Sequence, residues 1–175
     1  MSTPSAKISV SVGEKFACVK ITGRANFTSS IDLKTLFQEL LQKGYAYFLL
    51  DLTECTLMDS TFLGVLAGFG LKLSGPQPDA VERALDLFNP NPRIVDLLEN
   101  LGVLQLFKIS RGAAAAPGTA EPCEQVPGSP TREEIKRACL EAHQILMTLS
   151  PANISRFKDL TQFLAEDLKK LKAQA

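Results

Sequence analysis

Ser60 is the residue of this sequence whose position best suits it for regulated chemistry. It follows Asp59 and precedes an apolar run, 61–73, that is long enough for a buried helix. A serine at the N-cap of a helix holds its hydroxyl beside unpaired backbone amides and the positive end of the helix dipole. A phosphoryl group on that hydroxyl would be stabilised by both. The pattern predicts a helix that begins at Ser60, and from these residues alone an ordinary serine cap without phosphate chemistry is favoured over a modification site.

Phosphorylation of Ser60 would change the apolar surface beside it. The modification adds about −1.5 to −2 charges, so a partner that docks on the unmodified face would have to desolvate a dianion. Asp59 would add a like charge next to it. Gly64 and Gly68 lie one helical turn apart and would let a partner's backbone come close. The same glycines equally suit a helix that packs closely on its own sheet, and both explanations stay open.

The other reactive side chains show no pattern of a catalytic or metal site. His143 is the only histidine, and we expect it at the surface or flank of its helix without a partner. Ser60 lies outside a Gly-x-Ser-x-Gly elbow, and no glycine-rich phosphate loop follows a strand. We therefore predict that the protein is not an enzyme and holds no cofactor.

The cysteines indicate buried, reduced thiols. They form no CxxC pair and have no neighbouring histidine at metal-ligand spacing, so neither a metal site nor a disulfide framework is predicted. The four residues are Cys18, Cys55, Cys123 and Cys139.

Charge and hydropathy exclude several classes of partner. Lys and Arg number 19 and so do Asp and Glu, which leaves no net field to attract nucleic acid or anionic lipid. The first residues lack the apolar core of a signal peptide, and no apolar run approaches the roughly 20 residues that span a bilayer. We expect a soluble, cytoplasmic protein that binds neither nucleic acid nor membranes.

Hydrophobic periodicity predicts the elements that position Ser60. Alternating runs predict strands, apolar residues at three- and four-residue spacing predict helices, and the continuous apolar run 45–50 predicts a central strand. The order β-β-α-β-α-β-α-β predicts an α/β fold with a mixed sheet of about five strands and helices packed on it. The predicted strands cover residues 7–12, 16–22, 45–50, 84–88 and 103–109, and the helices follow caps at Thr28 to Ser30, at Ser60 and at Asn91-Pro92.

The C-terminal third of the chain has a different composition. Residues 111–130 are rich in Ala, Gly and Pro without apolar periodicity, which predicts a linker or loop. Thr131 and Glu134 have the spacing of a capping box, and two amphipathic helices separated at Ser150-Pro151 follow.

We therefore expect three parts: a domain over 1–110, the linker over 111–130 and a helical extension over 131–175. The apolar faces of the extension must be buried. Three places are open for them: on the domain itself, as a lid over a partner surface, or against a second copy of the chain.

The segment 49–66, LLDLTECTLMDSTFLGVL, resembles the signature of STAS domains. In anti-sigma factor antagonists of this family, a buried strand ending in Asp leads through a short loop to Met-Asp-Ser-(Ser/Thr)-Gly-Leu-Gly. Residues 58–64 match this motif at all positions but one. The segment 89–95, NPNPRIV, is similar to the family's Ser-Pro-x-Val segment. The resemblance covers residues 7–109 and leaves 110–175 unexplained.

The resemblance implies a bacterial phosphoprotein that acts in signal transduction and transcription regulation by partner switching. Ser60 takes the position of the family's regulatory phosphoserine, with Thr61 as the alternative acceptor. The unphosphorylated form would bind an anti-sigma factor or serine kinase, phosphorylation would release it, and a serine/threonine phosphatase would reverse the change. Phe62 replaces the family's usual glycine, and we expect its ring to enlarge the exposed apolar surface. The expected partner-binding residues are Asp59, Ser60, Thr61, Phe62, Leu63, Gly64 and Gly68.

A STAS scaffold is the second hypothesis. In it Ser60 stays unmodified, and the domain is a subunit of an oligomeric sensory or lipid-transport assembly. The helical extension favours this hypothesis, because a simple antagonist would not need one. A homodimer through the two C-terminal helices is one form that such an assembly could take.

Overall fold

The structure is a computed structural model that describes residues 6–74, 84–112 and 123–174. Its elements follow the predicted alternation of strands and helices. They are β1 (Lys7–Val12), β2 (Phe16–Ala25), α1 (Phe27–Gln42), β3 (Tyr47–Asp51), β4 (Cys55–Met58), α2 (Ser60–Ser74), β5 (Ala84–Phe88), α3 (Pro92–Asn100), β6 (Lys108–Ser110), β7 (Cys123–Glu124), α4 (Arg132–Leu149) and α5 (Ala152–Ala173).

The strands form a mixed sheet in the order β6-β5-β3-β2-β1-β7, and β4 pairs with the end of β2. β1 is antiparallel to both of its neighbours, β2 and β7, whereas the pairs from β2 to β6 are parallel. β3 is central, as its unbroken apolar run indicated. The α/β class and the mixed sheet are confirmed, and the short strands β4 and β7 extend the sheet beyond the predicted five strands.

One face of the sheet is covered by α1 and α2. Val19 and Ile21, at alternate positions of β2, are fully buried on this face. The ring of Phe37 in α1 lies 5.3 Å from that of Phe48 in β3 and 5.0 Å from that of Phe69 in α2. The aromatic cluster therefore joins the sheet to both helices and fixes α2, which carries Ser60, on the domain.

Two predicted element boundaries are wrong for local reasons. The cap of α1 is Asn26 rather than Thr28 to Ser30, because the Asn26 side chain accepts from two amides of the first turn while Ser29 reciprocates. The last predicted strand is divided: Leu104–Leu106 form a 3₁₀ turn before β6. In this turn Leu106 packs close to Gly70 of α2, so its apolar residues serve helix packing instead of a strand.

The described part of the predicted linker runs along the domain. Residues 123–124 pair with β1, the Gln125 amide donates to the Ile8 carbonyl at 2.7 Å, and the Gly128 amide donates to Asp32 Oδ1 at 3.0 Å. Residues 113–122 of this segment lie outside the described part of the chain. The boundaries at 110 and 130 stay a prediction.

The two C-terminal helices form a third layer. Thr131 caps α4 as predicted, since its Oγ1 accepts from the Glu134 amide at 3.1 Å. α4 packs on α2 and α1, and α5 packs on α4. Asn153 Nδ2 donates to the carbonyls of Leu101 and Leu146 at 2.8 Å and ties the turn between α4 and α5 to the end of α3. Of the three places open for the extension, the domain itself buries it.

None of the helices in the described ranges has both the length and the apolar character needed to cross a bilayer.

Candidate regulatory site at Ser60

α2 begins at Ser60 as predicted, but its N-cap is Asp59. Asp59 Oδ1 accepts from the Phe62 amide at 2.8 Å, and the Asp59 carbonyl accepts from the Leu63 amide at 3.1 Å. The Asp59 amide in turn donates to the Ala25 carbonyl at 2.9 Å, which holds the cap at the end of β2. Ser60 is therefore the first helical residue, and the prediction that it caps the helix is wrong.

The Asp59 carboxyl group is partly desolvated at this position, which disfavours its charged form. Burial raises its pKa above the ordinary 3.8, while the amide of Phe62 and the charge of His143 act in the opposite direction. The carboxylate also occupies an amide that a phosphoryl group on Ser60 would otherwise meet. The negative charge before Ser60 is thus already costly without modification.

We expect Asp59→Asn to flatten the pH dependence of stability. The amide keeps the Oδ1 acceptor for the cap but removes the ionisation. Because the folded-state pKa is raised, the stability from Asp59 is complete below about 3.8 and is lost as pH rises through the folded pKa. Urea unfolding from pH 3 upward, at intervals of roughly half a pH unit, should show the free energy of unfolding of Asp59→Asn rising relative to that of the wild type across that window.

Asp96→Asn, a charge removal at an exposed position of α3, is the matched control for this titration. Its free energy of unfolding should depend on pH as that of the wild type does. Parallel curves for Asp59→Asn and the wild type would contradict the prediction.

The Ser60 hydroxyl contacts α4. Its Oγ lies 2.9 Å from His143 Nε2, and His143 Nδ1 lies 2.6 Å from the Cys139 carbonyl oxygen. A carbonyl oxygen only accepts hydrogen bonds, so His143 Nδ1 carries a proton. In the neutral imidazole Nε2 then accepts a hydrogen bond from the Ser60 hydroxyl. The ring of Phe157 in α5 lies edge-on to the imidazole at 4.7 Å. The hydroxyl is therefore bonded within the chain and covered by the C-terminal layer.

The expectation of a surface histidine is wrong, since His143 is only 2 % exposed. α4 packs on α2 with one side and on α5 with another, so its buried arc is wider than the single apolar stripe seen in the sequence. The hydrogen-bond partners Ser60 and His143 are 83 residues apart. No local pattern joins them, and the one available signal was that His143 follows the stripe residue Ala142.

The glycines of α2 make room for α4. A Cβ on Gly64 would lie 2.5 Å from the Ala142 carbonyl oxygen, and one on Gly68 would lie 3.0 Å from Ile145 Cδ1. Neither of the two explanations left open, an external partner or the domain's own sheet, describes this contact. What these glycines accommodate in this structure is a helix of the same chain.

The predicted partner-binding residues point in two directions. Phe62 and Leu63 are fully buried, so the expected exposed ring at position 62 is wrong. Thr61 is buried as well, and its Oγ1 donates to Cys139 Sγ at 3.5 Å. The face that meets α4 therefore contains Ser60, Thr61, Gly64 and Gly68, while Phe62 and Leu63 face the domain core.

The four cysteines are free thiols in this structure, and the prediction that they are buried is wrong for Cys123. Cys18 and Cys55 are buried, Cys139 is half-buried at the contact between α2 and α4, and Cys123 is exposed on β7. Burial raises the pKa of the Cys139 thiol. Within the described residues, no group of three metal-ligating side chains comes together.

A small groove lies on the packing surface near the site. The groove lies between α1, α2 and α4, encloses about 200 Å³ and has the Lys34 to Glu141 ion pair, 3.1 Å, at its rim. Ligand pockets are usually about 300 to 1,000 Å³. The arrangement suits the packing of a helix better than the enclosure of a small molecule.

The sequence model of the STAS domain matches residues 7–116. The chain belongs to the STAS-domain family. The match includes the Ser60 motif and ends before β7, so the helices that cover the STAS domain lie outside it. No curated protein matches the sequence.

Solved structures share the STAS fold. The unphosphorylated form of the anti-sigma factor antagonist SpoIIAA is 14% identical, with a TM-score of 0.50 over 59% of this chain and 87% of that one. A proposed anti-sigma factor antagonist from Thermotoga maritima is 20% identical, with a TM-score of 0.51 over 59% of this chain and 85% of that one. At these identities the likeness concerns the fold.

Proposed function

We propose that this protein is a phosphorylation-controlled binding protein of the anti-sigma factor antagonist type. Its unmodified form binds an anti-sigma factor or serine kinase, and phosphorylation of Ser60 releases that partner. The observation that supports this most is the position of the Ser60 hydroxyl in the first turn of α2, on a face where a helix packs. The proposal places the protein in the bacterial cytoplasm, in the control of transcription.

The charge of a phosphoryl group explains the release. The face around Ser60 is desolvated when a helix lies on it, as the burial of His143 and Thr61 illustrates. A dianion placed there loses its hydration, and Asp59 adds a like charge beside it. The Phe62 amide, already bonded to Asp59, is not free to compensate. A helix that packs well on the hydroxyl form would therefore bind the phosphorylated form poorly.

A catalytic role for the Ser60 and His143 pair is disfavoured by its surroundings. The contact has the geometry of a nucleophile and its base. However, His143 Nδ1 bonds a backbone carbonyl rather than a carboxylate, and the rings of His143 and Phe157 are packed together. A substrate needs space beside the hydroxyl and free donors for its oxyanion. We assign the chain the role of ligand and substrate, with ATP and metal ions belonging to the kinase and phosphatase.

The test is phosphorylation and binding by serine kinases of the anti-sigma factor type from the same genome. We expect intact-mass analysis to show one added phosphoryl group on the wild type and none on Ser60→Ala. In calorimetric titrations, Ser60→Asp should bind the kinase at least about tenfold more weakly than Ser60→Ala, because even one buried unpaired charge costs more than 1.4 kcal/mol.

Thr61→Ala is the control for the alternative acceptor, because Thr61 is adjacent in sequence and also contacts α4. It should still gain one phosphoryl group, because Ser60 remains available. Phosphate that remains on Ser60→Ala, or equal binding by wild type and Ser60→Asp, would overturn the proposal.

A STAS scaffold is the second candidate function, and the covering of Ser60 favours it. In a scaffold the hydroxyl needs no modification, and its bond to His143 is then purely structural. The homodimer through α4 and α5 and the sensory or lipid-transport assembly belong to this candidate. Native protein that never carries a phosphoryl group, together with one unchanged assembly state for wild type and Ser60→Asp in light scattering, would favour the scaffold.

A further inference from the structure

The C-terminal helices cover the face that the proposed partner needs. We propose that α4 and α5 are an intrachain occupant of the Ser60 face, which competes with a partner's helix and is displaced when Ser60 is phosphorylated. This inference rests on the proposed function for its biological purpose. The competition itself depends only on the contacts between α2 and α4.

The contact between α2 and α4 is specific along its length. Thr61 meets Cys139, Gly64 meets Ala142, and Gly68 meets Ile145, so the two helices run in the same direction with matching steps. The hydroxyl of Ser60 meets His143 at the start of the same contact. A helix that interdigitates over about two turns and satisfies a polar group fits this face as a ligand would.

A phosphoryl group on Ser60 Oγ would break the hydrogen bond to His143 and place a dianion at a half-buried contact with α4. Ser60 Oγ is already within hydrogen-bond distance of His143 Nε2, and His143 is backed by the ring of Phe157. Alongside it, the Ala142 carbonyl oxygen lies 2.5 Å from the place that a Cβ on Gly64 would take. A phosphorus atom with three oxygens inserted at Oγ would have to displace α4. The modification that is proposed to release a partner would therefore release the covering helices as well.

The covering layer is buried less thoroughly than the helix beneath it. Three of the 18 residues of α4 are buried, against ten of the 15 residues of α2. Segments with few buried contacts open at lower free energy than the core of a domain. α4 and α5 can thus leave while the sheet, α1 and α2 stay folded.

The contacts of α4 indicate which features a partner's helix would need in order to replace it. The partner's helix must bring a residue no larger than alanine opposite Gly64, since the Ala142 Cβ already lies 2.6 Å from the place that a Cβ on Gly64 would take. A hydrogen-bonding side chain opposite Ser60, as His143 is in α4, would satisfy the serine hydroxyl. We infer that the partner presents an amphipathic helix with this small and polar pair at adjacent positions.

Cysteine alkylation of the full-length protein tests the displacement. Cys139 lies half-buried in the contact, so its labelling by iodoacetamide reports the open fraction. Cys123 is exposed and serves as the fast reference, and Cys55 is buried in the domain and reports global unfolding. Mass spectrometry of the digested protein gives the rate for each thiol.

Two variants should open the contact by different means. Gly64→Ala inserts a methyl group against the Ala142 carbonyl, and overpacking of this kind shifts an equilibrium by roughly ten- to a hundredfold. Ser60→Glu introduces charge instead. We expect both to raise the Cys139 rate by about that factor while the Cys55 rate stays unchanged. Gly70→Ala is the matched control, because Gly70 faces Leu106 and Phe107 rather than α4.

The results separate the two proposals. Wild-type Cys139 rates in both Gly64→Ala and Ser60→Glu would overturn the competition, and so would Cys55 rates that rise together with those of Cys139. Faster Cys139 labelling in both variants supports it even if no kinase modifies Ser60, in which case only the proposed phosphorylation switch fails.

Discussion

Replacing Phe62 by alanine is expected to lower the free energy of unfolding by about 3–5 kcal/mol. Phe62 is among the largest side chains that are fully buried, and it belongs to the main core. Its truncation removes apolar contacts and leaves a cavity between α2 and the domain. Phe62→Gly, which restores the residue usual in the family, should cost roughly 1 kcal/mol more because glycine is a poor helix former. Urea unfolding measures both.

Phe163→Ala is the control for Phe62→Ala, since Phe163 is 63 % exposed on α5. It should change stability by no more than about 0.5 kcal/mol. A similarly small effect for Phe62→Gly would show that position 62 does not belong to the core. The expected large loss would mean that the departure from the family pattern is a packing feature of this domain and not a change of partner surface.

Leu146→Ala is expected to destabilise the C-terminal layer by about 2–5 kcal/mol. Leu146 is fully buried and joins α4 to the core that includes α2. Its carbonyl oxygen also accepts a hydrogen bond from Asn153, so a shift of α4 weakens this bond at the turn between α4 and α5. Amide hydrogen exchange in α4 and α5 should accelerate by at least about thirtyfold, the factor that corresponds to 2 kcal/mol.

The amides of β3 should keep their exchange rates in Leu146→Ala, because the central strand does not depend on the covering layer. Leu160→Ala, the same truncation at a 40 % exposed position of α5, should leave all rates near those of the wild type. If β3 and α4 accelerate together in Leu146→Ala, the layer and the domain unfold as one unit and the prediction fails.

Local sequence signals were sufficient for most of the fold. The alternation in β1 and β2 and the apolar run of β3 were sufficient to predict these strands and their order along the chain. The caps of α3 and α4 at Asn91 and Thr131 are predictable because each side chain bonds an amide of its own first turn. These alternations and caps depend on residues that are close together in the sequence, so they can be predicted from a single sequence. β4 and β7 were missed because strands of four and two residues are too short to show a period.

The site depended on information that local patterns lack. α2 is apolar on nearly all sides, so periodicity could not decide that Phe62 faces the core and Gly64 faces α4. Asp59 and Ser60 are both good N-cap residues, and the bond of the Asp59 amide to the end of β2 decides between them. The pairing of Ser60 with His143 needed the tertiary arrangement of a segment outside the STAS domain.

The pairing of β7 with β1 limits how far the C-terminal helices can travel. Residues 125–130 join β7 to the cap of α4, and six extended residues span at most roughly 20 Å. A helix on so short a tether meets its binding face at an effective concentration of about millimolar. A free partner present at micromolar concentration must therefore bind about a thousandfold more tightly than α4 does to occupy the face equally. The short tether would set an affinity threshold that excludes weakly binding helices.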